Sequence, residues 1–193
     1  MGTILSCDEL CIGDAIIPSF VVTSNDYVGI ATPNYYGNDH WKLLMQSIGG
    51  QVPNPGIRIN GKVALILPTG YRPPGRTTRR DNLVDLAMKA GLSRLCAKRI
   101  CTGLNVDPGK FYVDLKFTLR LLFDLQVALA QEPDLVVFST CGLDPCGIMA
   151  VNATVSAVLH RSAAIDVFSA SLIESYESLM SFTNVVRCCR SDG

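Results

Sequence analysis

The sequence is poor in the residues that most catalytic and metal sites use. Of its 193 residues only two are histidine, His40 and His160, and they stand far apart. The eight cysteines, at 7, 11, 96, 101, 141, 146, 188 and 189, form no Cys-x-x-Cys pair. Zinc centres need tightly spaced ligands, so this spacing excludes one. An even cysteine count allows disulfides, but the first residues carry no basic-then-apolar leader. Reduced thiols acting as small buried hydrophobes are therefore expected. Charged residues make up only 18%, and 17 basic side chains cancel 17 acidic ones. That neutrality removes the electrostatic footprint of nonspecific nucleic-acid binding, and no nucleic-acid partner is expected. No apolar run approaches the roughly 18 residues of a membrane helix. The densest stretches, 63–67 and 135–138, have strand length.

What is present is a well-stocked core. Apolar residues reach 48%, which excludes disorder, coiled coil and collagen-like structure. The length fits one domain, able to bury roughly 70% of its unfolded surface. A neutral, apolar chain is expected to dissolve poorly alone and to meet a partner.

Three zones follow one another. Residues 1–67 read as short strands at 4–6, 19–23, 27–32, 57–60 and 63–67, separated by Ser24-Asn25-Asp26, Asn54-Pro55-Gly56 and Asn60-Gly61. The Asn-Gly pair predicts a hairpin joining Ile57 to Val63. One helix, 40–48, shows apolar residues at 41, 44, 45 and 48 and stops at Gly49-Gly50. Residues 68–132 predict helices at 79–90, 93–99 and 115–131, the last apolar around much of its circumference. Residues 133–193 alternate strand 134–138, helix 148–160, strand 164–168, helix 172–180 and strand 185–188. That alternation means parallel crossovers. The predicted fold is α/β, with an antiparallel start, a mostly parallel core sheet and a helical insert.

Two loops could hold phosphate. Gly70-Tyr71-Arg72-Pro73-Pro74-Gly75-Arg76-Thr77 fits the spacing of a phosphate-binding loop, but the two prolines have no N–H to offer an anion. The second loop carries a resemblance. The run from Tyr27 to Leu44 has the layout of the phosphate-binding region of ATP-binding cassette (ABC) ATPases, with Pro33, Asn34 and Gly37 matching. Thr32 stands at the first glycine, Asn38 at the lysine and Asp39 at the magnesium hydroxyl; His40 follows.

The rest is colinear with the same family. Residues 53–62 resemble its P-x-x-G-x-I-x-I-N-G-K segment, 70–74 the start of its Q-loop, and 78–83 the opening of its helical subdomain. Residues 115–119 fall at the L-S-G-G-Q signature, and 132–140 lie on the Walker B strand. Gly142-Leu143-Asp144-Pro145 matches the D-loop, and 166–174 resembles the switch segment. The resemblance covers nearly the whole chain. It implies a P-loop NTPase-like (ABC ATPase) fold over 1–193, with a helical subdomain at about 79–131.

The family's catalytic residues are missing at the matching positions. Asn38 brings no cation to a phosphate. Ser139 has no carboxylate for magnesium, Thr140 cannot act as a general base, and Ser171 replaces the switch histidine. Asp39 puts negative charge where a phosphate would sit, and Asn38-Asp39 also reads as an ordinary helix cap. Asp144 reads equally as a dimer contact and as a turn residue before Pro145. Tyr35 and Tyr36 are expected to fill the vacated pocket, and Trp41 to sit in the core.

The resemblance thus implies a degenerate ATP-binding domain, with binding of ATP and Mg2+ in doubt. It would have a structural or regulatory role in a transporter-like assembly. Its phosphate loop would be Thr32, Pro33, Asn34, Gly37, Asn38, Asp39 and His40, and its interface Gly142, Leu143 and Asp144. Its partners would be another nucleotide-binding domain, as in a dimer, and a separate membrane-spanning chain, at a cytoplasmic location peripheral to the membrane. The alternatives are an active ATPase using Arg76 or Lys42 as its phosphate cation, a mismatch-repair-like ATPase suggested by 109–115 and 146–148, and an α/β domain that binds something else. Met1-Gly2-Thr3-Ile4-Leu5-Ser6 also fits the N-myristoylation pattern, with Cys7 as a second lipid site; the preferred reading is that these residues open the first strand.

Overall fold

The computed structural model describes residues 2–33, 40–67 and 81–190. These divide into two compact units, Met1–Leu65 with Pro133–Gly193, and Ile66–Glu132.

The first unit is built on strands. β1 (Thr3–Cys7) lies between β4 (Phe20–Thr23) and β6 (Ile57–Ile59) in an antiparallel sheet. β2 (Leu10–Ile12) and β3 (Ala15–Ile17) form a hairpin that β11 (Cys189–Arg190) extends. The core is a five-stranded parallel sheet in the order β10 (Asn184–Arg187), β5 (Tyr27–Thr32), β9 (Ala163–Ser169), β8 (Leu135–Phe138), β7 (Val63–Leu65). Every residue of β5, β8 and β9 is buried, as expected of parallel strands covered on both faces. Near-continuous apolar composition at strand length is what drives them there. α1 (His40–Ile48) buries Trp41, Leu44, Met45 and Ile48, the residues of its 3.6-period stripe. α5 (Pro145–Ser156) and α6 (Ile173–Leu179) occupy the crossovers on either side of β9.

The second unit is helical: α2 (Leu83–Lys89), α3 (Arg94–Gly103) and α4 (Phe117–Leu129). Asn82 caps α2 by accepting from Asp85 N–H at 2.9 Å, and Ser93 caps α3 by accepting from Cys96 N–H at 3.2 Å. Leu83, Ala87, Ala97, Ile100, Tyr112 and Phe123 share its core. The Tyr112 hydroxyl donates to Asp124 at 2.5 Å. α4 buries residues on more than one side, in line with its apolar girth.

Several expectations are corrected. Ile57 and Val63 do not form a hairpin: β6 pairs with β1 in the antiparallel sheet and β7 with β8 in the parallel one. Asn60-Gly61 is instead the step between sheets. Gly61 has φ +156°, and a Cβ there would stand 2.9 Å from Asp134 Oδ2, which accepts from Lys62 N–H at 2.7 Å. The helix expected from 148 starts three residues earlier, at Pro145, because Asp144 caps it and proline suits its first turn. The β2–β3 hairpin was not anticipated. Cys7 is 2% exposed, so its thiol is closed to lipidation.

Candidate functional site at the carboxyl edge of the parallel sheet

In open parallel sheets ligands bind beyond the carboxyl ends of the strands. Here those ends gather Thr32 and Pro33 after β5, Ser139 and Thr140 after β8, and Ser169 and Ser171 at the end of β9. Asn34, Gly37, Asn38 and Asp39 lie outside the described residues, as do Tyr35, Tyr36 and the loop from Gly70 to Thr77.

The described edge is polar but tied to itself. Thr32 is buried, and its hydroxyl donates to the Phe168 carbonyl at 3.1 Å, joining β5 to β9. His40 opens α1 with Nδ1 at 3.1 Å from Asp14 Oδ1, so the tip of the β2–β3 hairpin reaches the start of that helix. Ser171 is exposed, with its hydroxyl 2.9 Å from that of Ser169. Ser139 is buried, and its hydroxyl accepts from Cys141 N–H at 3.2 Å.

Thr140 has no exposed surface, and each of its polar groups faces inward. Its N–H donates to Asp166 Oδ1 at 2.9 Å and its hydroxyl to Asp166 Oδ2 at 2.5 Å. Its carbonyl accepts from the Tyr176 hydroxyl at 3.0 Å and from Leu143 N–H at 3.1 Å. The last bond closes a tight turn that leaves Gly142 exposed at φ +88°. Asp144 then caps α5, accepting from Gly147 N–H at 2.7 Å. The D-loop match therefore contains an exposed turn and a helix cap.

Asp166 is the residue that sequence reasoning passed over, although a lone charge inside the apolar run 163–169 was a visible signal. It sits in the middle of β9, between Gly29 of β5 and Phe138 of β8 in register. The wall around it is aromatic. Phe168 stacks on Tyr176 with ring centroids 4.7 Å apart, and Tyr27 lies 6.3 Å from Phe138. Burial pushes the Asp166 carboxyl up to about 7, against the opposing pull of its two bonds from Thr140. Burial, followed by the Asp166 charge, also holds the Tyr27 phenol well above its ordinary range.

Among the described residues, the hydroxyls after β8 offer no open ligand to a hard cation. Hard cations take exposed carboxylate or water oxygens. The hydroxyls of Ser139 and Thr140 are buried and engaged, and the nearby Asp166 carboxylate points at Thr140. Among the described residues no group of three His, Cys, Asp or Glu side chains is poised to hold a metal.

In sequence, no family model and no curated protein matches the chain. In structure the likeness to ABC proteins is extensive. The chain superposes on cbiO1 from Clostridium perfringens, part of the ABC transporter complex cbiONQ, at TM-score 0.66. The two share 14% identity over 97% of this chain and 87% of that one. An ATP-binding subunit of an ABC transporter gives TM-score 0.64 at 20% identity, over 98% and 91% of the two chains. A complex of ribosome-bound archaeal Pelota and ABCE1 gives 0.65 at 14% identity, over 98% of this chain and 34% of the other. The fold is thus that of ABC ATP-binding domains: a parallel P-loop NTPase sheet with an antiparallel β part. No described helix is long and apolar enough to cross a membrane.

Proposed function

We propose that the chain is a degenerate ABC-type ATP-binding domain with a structural or regulatory role in a transporter-like assembly, its ATP hydrolysis weak or absent. One observation carries the reading: the positions after β8 that would supply the magnesium ligand and general base are Ser139 and Thr140, both buried and both hydrogen-bonded within the protein. Phosphoryl transfer relies on a metal clamp and a group that orients the nucleophile. Neither hydroxyl is free for those tasks.

The unit Ile66–Glu132 is read as the helical subdomain, and Gly142, Leu143 and Asp144 as a contact with a second nucleotide-binding domain. A separate membrane-spanning chain would supply the pore, with this chain cytoplasmic and peripheral. The structural neighbours named as transporter subunits support that direction, whereas the likeness to an ABCE1 complex supports the fold without transport. No described contact favours the active-ATPase reading through Lys42 or the mismatch-repair reading, and Arg76 lies outside the described residues.

The test is phosphate release and calorimetric ATP binding with Mg2+, on the wild type and on a variant carrying Asn38→Lys, Ser139→Asp and Thr140→Glu. The expected wild-type result is no turnover above background. Sustained wild-type hydrolysis would sink the proposal and revive the active alternative.

A further inference from the structure

We propose that the groove between α3 and α4 is a binding site for a small monocarboxylate with an apolar body, its charge held by Arg99. The site lies wholly within the helical unit and does not depend on nucleotide binding.

The groove follows from the spacing of α3. Cys96, Ile100 and Gly103 recur at intervals of four and three residues, so they share one stripe of the helix. Arg99 stands at the edge of that stripe, Leu104 follows as the helix cap, and Gln126 comes from α4. These six residues line a volume of about 250 Å3. Gly103 keeps it open: a Cβ built there meets no atom within 4 Å. Pockets for drug-sized ligands run to roughly 300–1,000 Å3, so this ligand is smaller.

The lining names the ligand's class. Ile100 is buried and Leu104 half-buried, which gives an apolar floor. The Cys96 thiol adds a soft, weakly polar wall. Two polar groups are unspent. Among the described residues the Arg99 guanidinium has no ion-pair or hydrogen-bond partner, and neither has the Gln126 carboxamide. α3 carries Arg94, Lys98 and Arg99 and no acidic residue, so it makes the mouth positive in a chain of zero net charge. A guanidinium takes a planar carboxylate through two parallel N–H bonds, and the carboxamide can donate a third. Of the three basic residues only Arg99 lines the groove, so it answers a single negative charge. The helix dipole sets the orientation. The carboxyl end of α3, at Gly103, repels an anion. The carboxylate therefore sits at Arg99, one turn earlier, and the apolar body runs toward Gly103 and Leu104.

Benzoate is the probe, titrated into the full chain and followed by the methyl NMR signals of Ile100 and Leu104. The expected result is saturable shifts with a Kd on the order of 1 mM, as suits so few atoms. Benzamide, of the same shape without the charge, should bind at least about fivefold more weakly, and Arg99→Ala should weaken benzoate to the same extent. Gly103→Leu, which fills the open space, should abolish saturation. Equal binding of benzoate and benzamide, an unmoved Kd in Arg99→Ala, or no saturable shift at all overturns the site. The proposal also falls if the same methyls shift only with protein concentration, since a second copy then covers the groove. Should either variant fail to fold, the comparison of benzoate with benzamide on the wild type decides.

Discussion

The imidazole of His40 lies flat against the backbone of Gly13: a Cβ built on that glycine would stand 1.9 Å from His40 Cε1. The same turn residue has φ +63°, and its neighbour Asp14 holds His40 Nδ1 at 3.1 Å. A side chain at 13 therefore meets two penalties at once, a left-handed backbone and a displaced ring. Gly13→Ala is expected to destabilise the chain by roughly 1–3 kcal/mol, seen as a lower thermal midpoint. An unchanged midpoint would mean that the hairpin does not dock on α1.

Asp166→Asn should reverse the usual effect of removing a charge. Burial pushes the folded carboxyl up to about 7 from its ordinary 3.8, so the folded chain binds more protons than the unfolded one between those pH values. Its contribution to stability is fully present below about pH 4 and is lost as pH rises through 7. At pH 8 the buried charge costs on the order of 4 kcal/mol, which the amide avoids while keeping the shape of the neutral acid. Urea melts at pH 5 and pH 8 should show a variant gain that is clearly larger at the higher pH. A variant less stable than wild type at pH 8 contradicts the raised pKa.

Gly61→Ala addresses the step between sheets. The new methyl would press on Asp134, whose Oδ2 takes the Lys62 N–H at 2.7 Å. Loss of that bond and of the backbone freedom should cost roughly 1–3 kcal/mol by denaturant unfolding.

Asp144→Ala removes the α5 cap. The bond to Gly147 N–H disappears, and roughly 1 kcal/mol of stability with it. The same variant separates two roles, since a residue that only caps the helix should leave self-association unchanged in sedimentation runs.

Legibility differed by the kind of signal. The spacing of Trp41, Leu44, Met45 and Ile48 located α1 at its observed ends, because a helix with one wet face writes its period into the sequence. The buried strands β5, β8 and β9 were legible for the opposite reason: with no wet face they read as short, near-continuous apolar runs of strand length. Asn60-Gly61 misled because that dipeptide favours a turn but does not say whether the two flanking strands pair with each other. β2 and β3 were missed because three-residue strands hold too little pattern, and β11 completes their sheet only from the far end of the chain. At the candidate site, the loss of carboxylates at 139 and 140 could be read directly. That Thr140 turns every polar group inward could not, since its partners Asp166 and Tyr176 come from β9 and α6.

The position of β5 has a consequence for biogenesis. Its two neighbours, β9 and β10, are made long after its own six residues. While the ribosome is still translating the residues between them, a strand destined for full burial waits with both edges unsatisfied, the condition under which nascent chains aggregate or recruit holding chaperones. The helical unit, whose contacts are local, is free to fold during that wait. Truncations that remove β9 and β10 should therefore give insoluble product rather than a shortened domain.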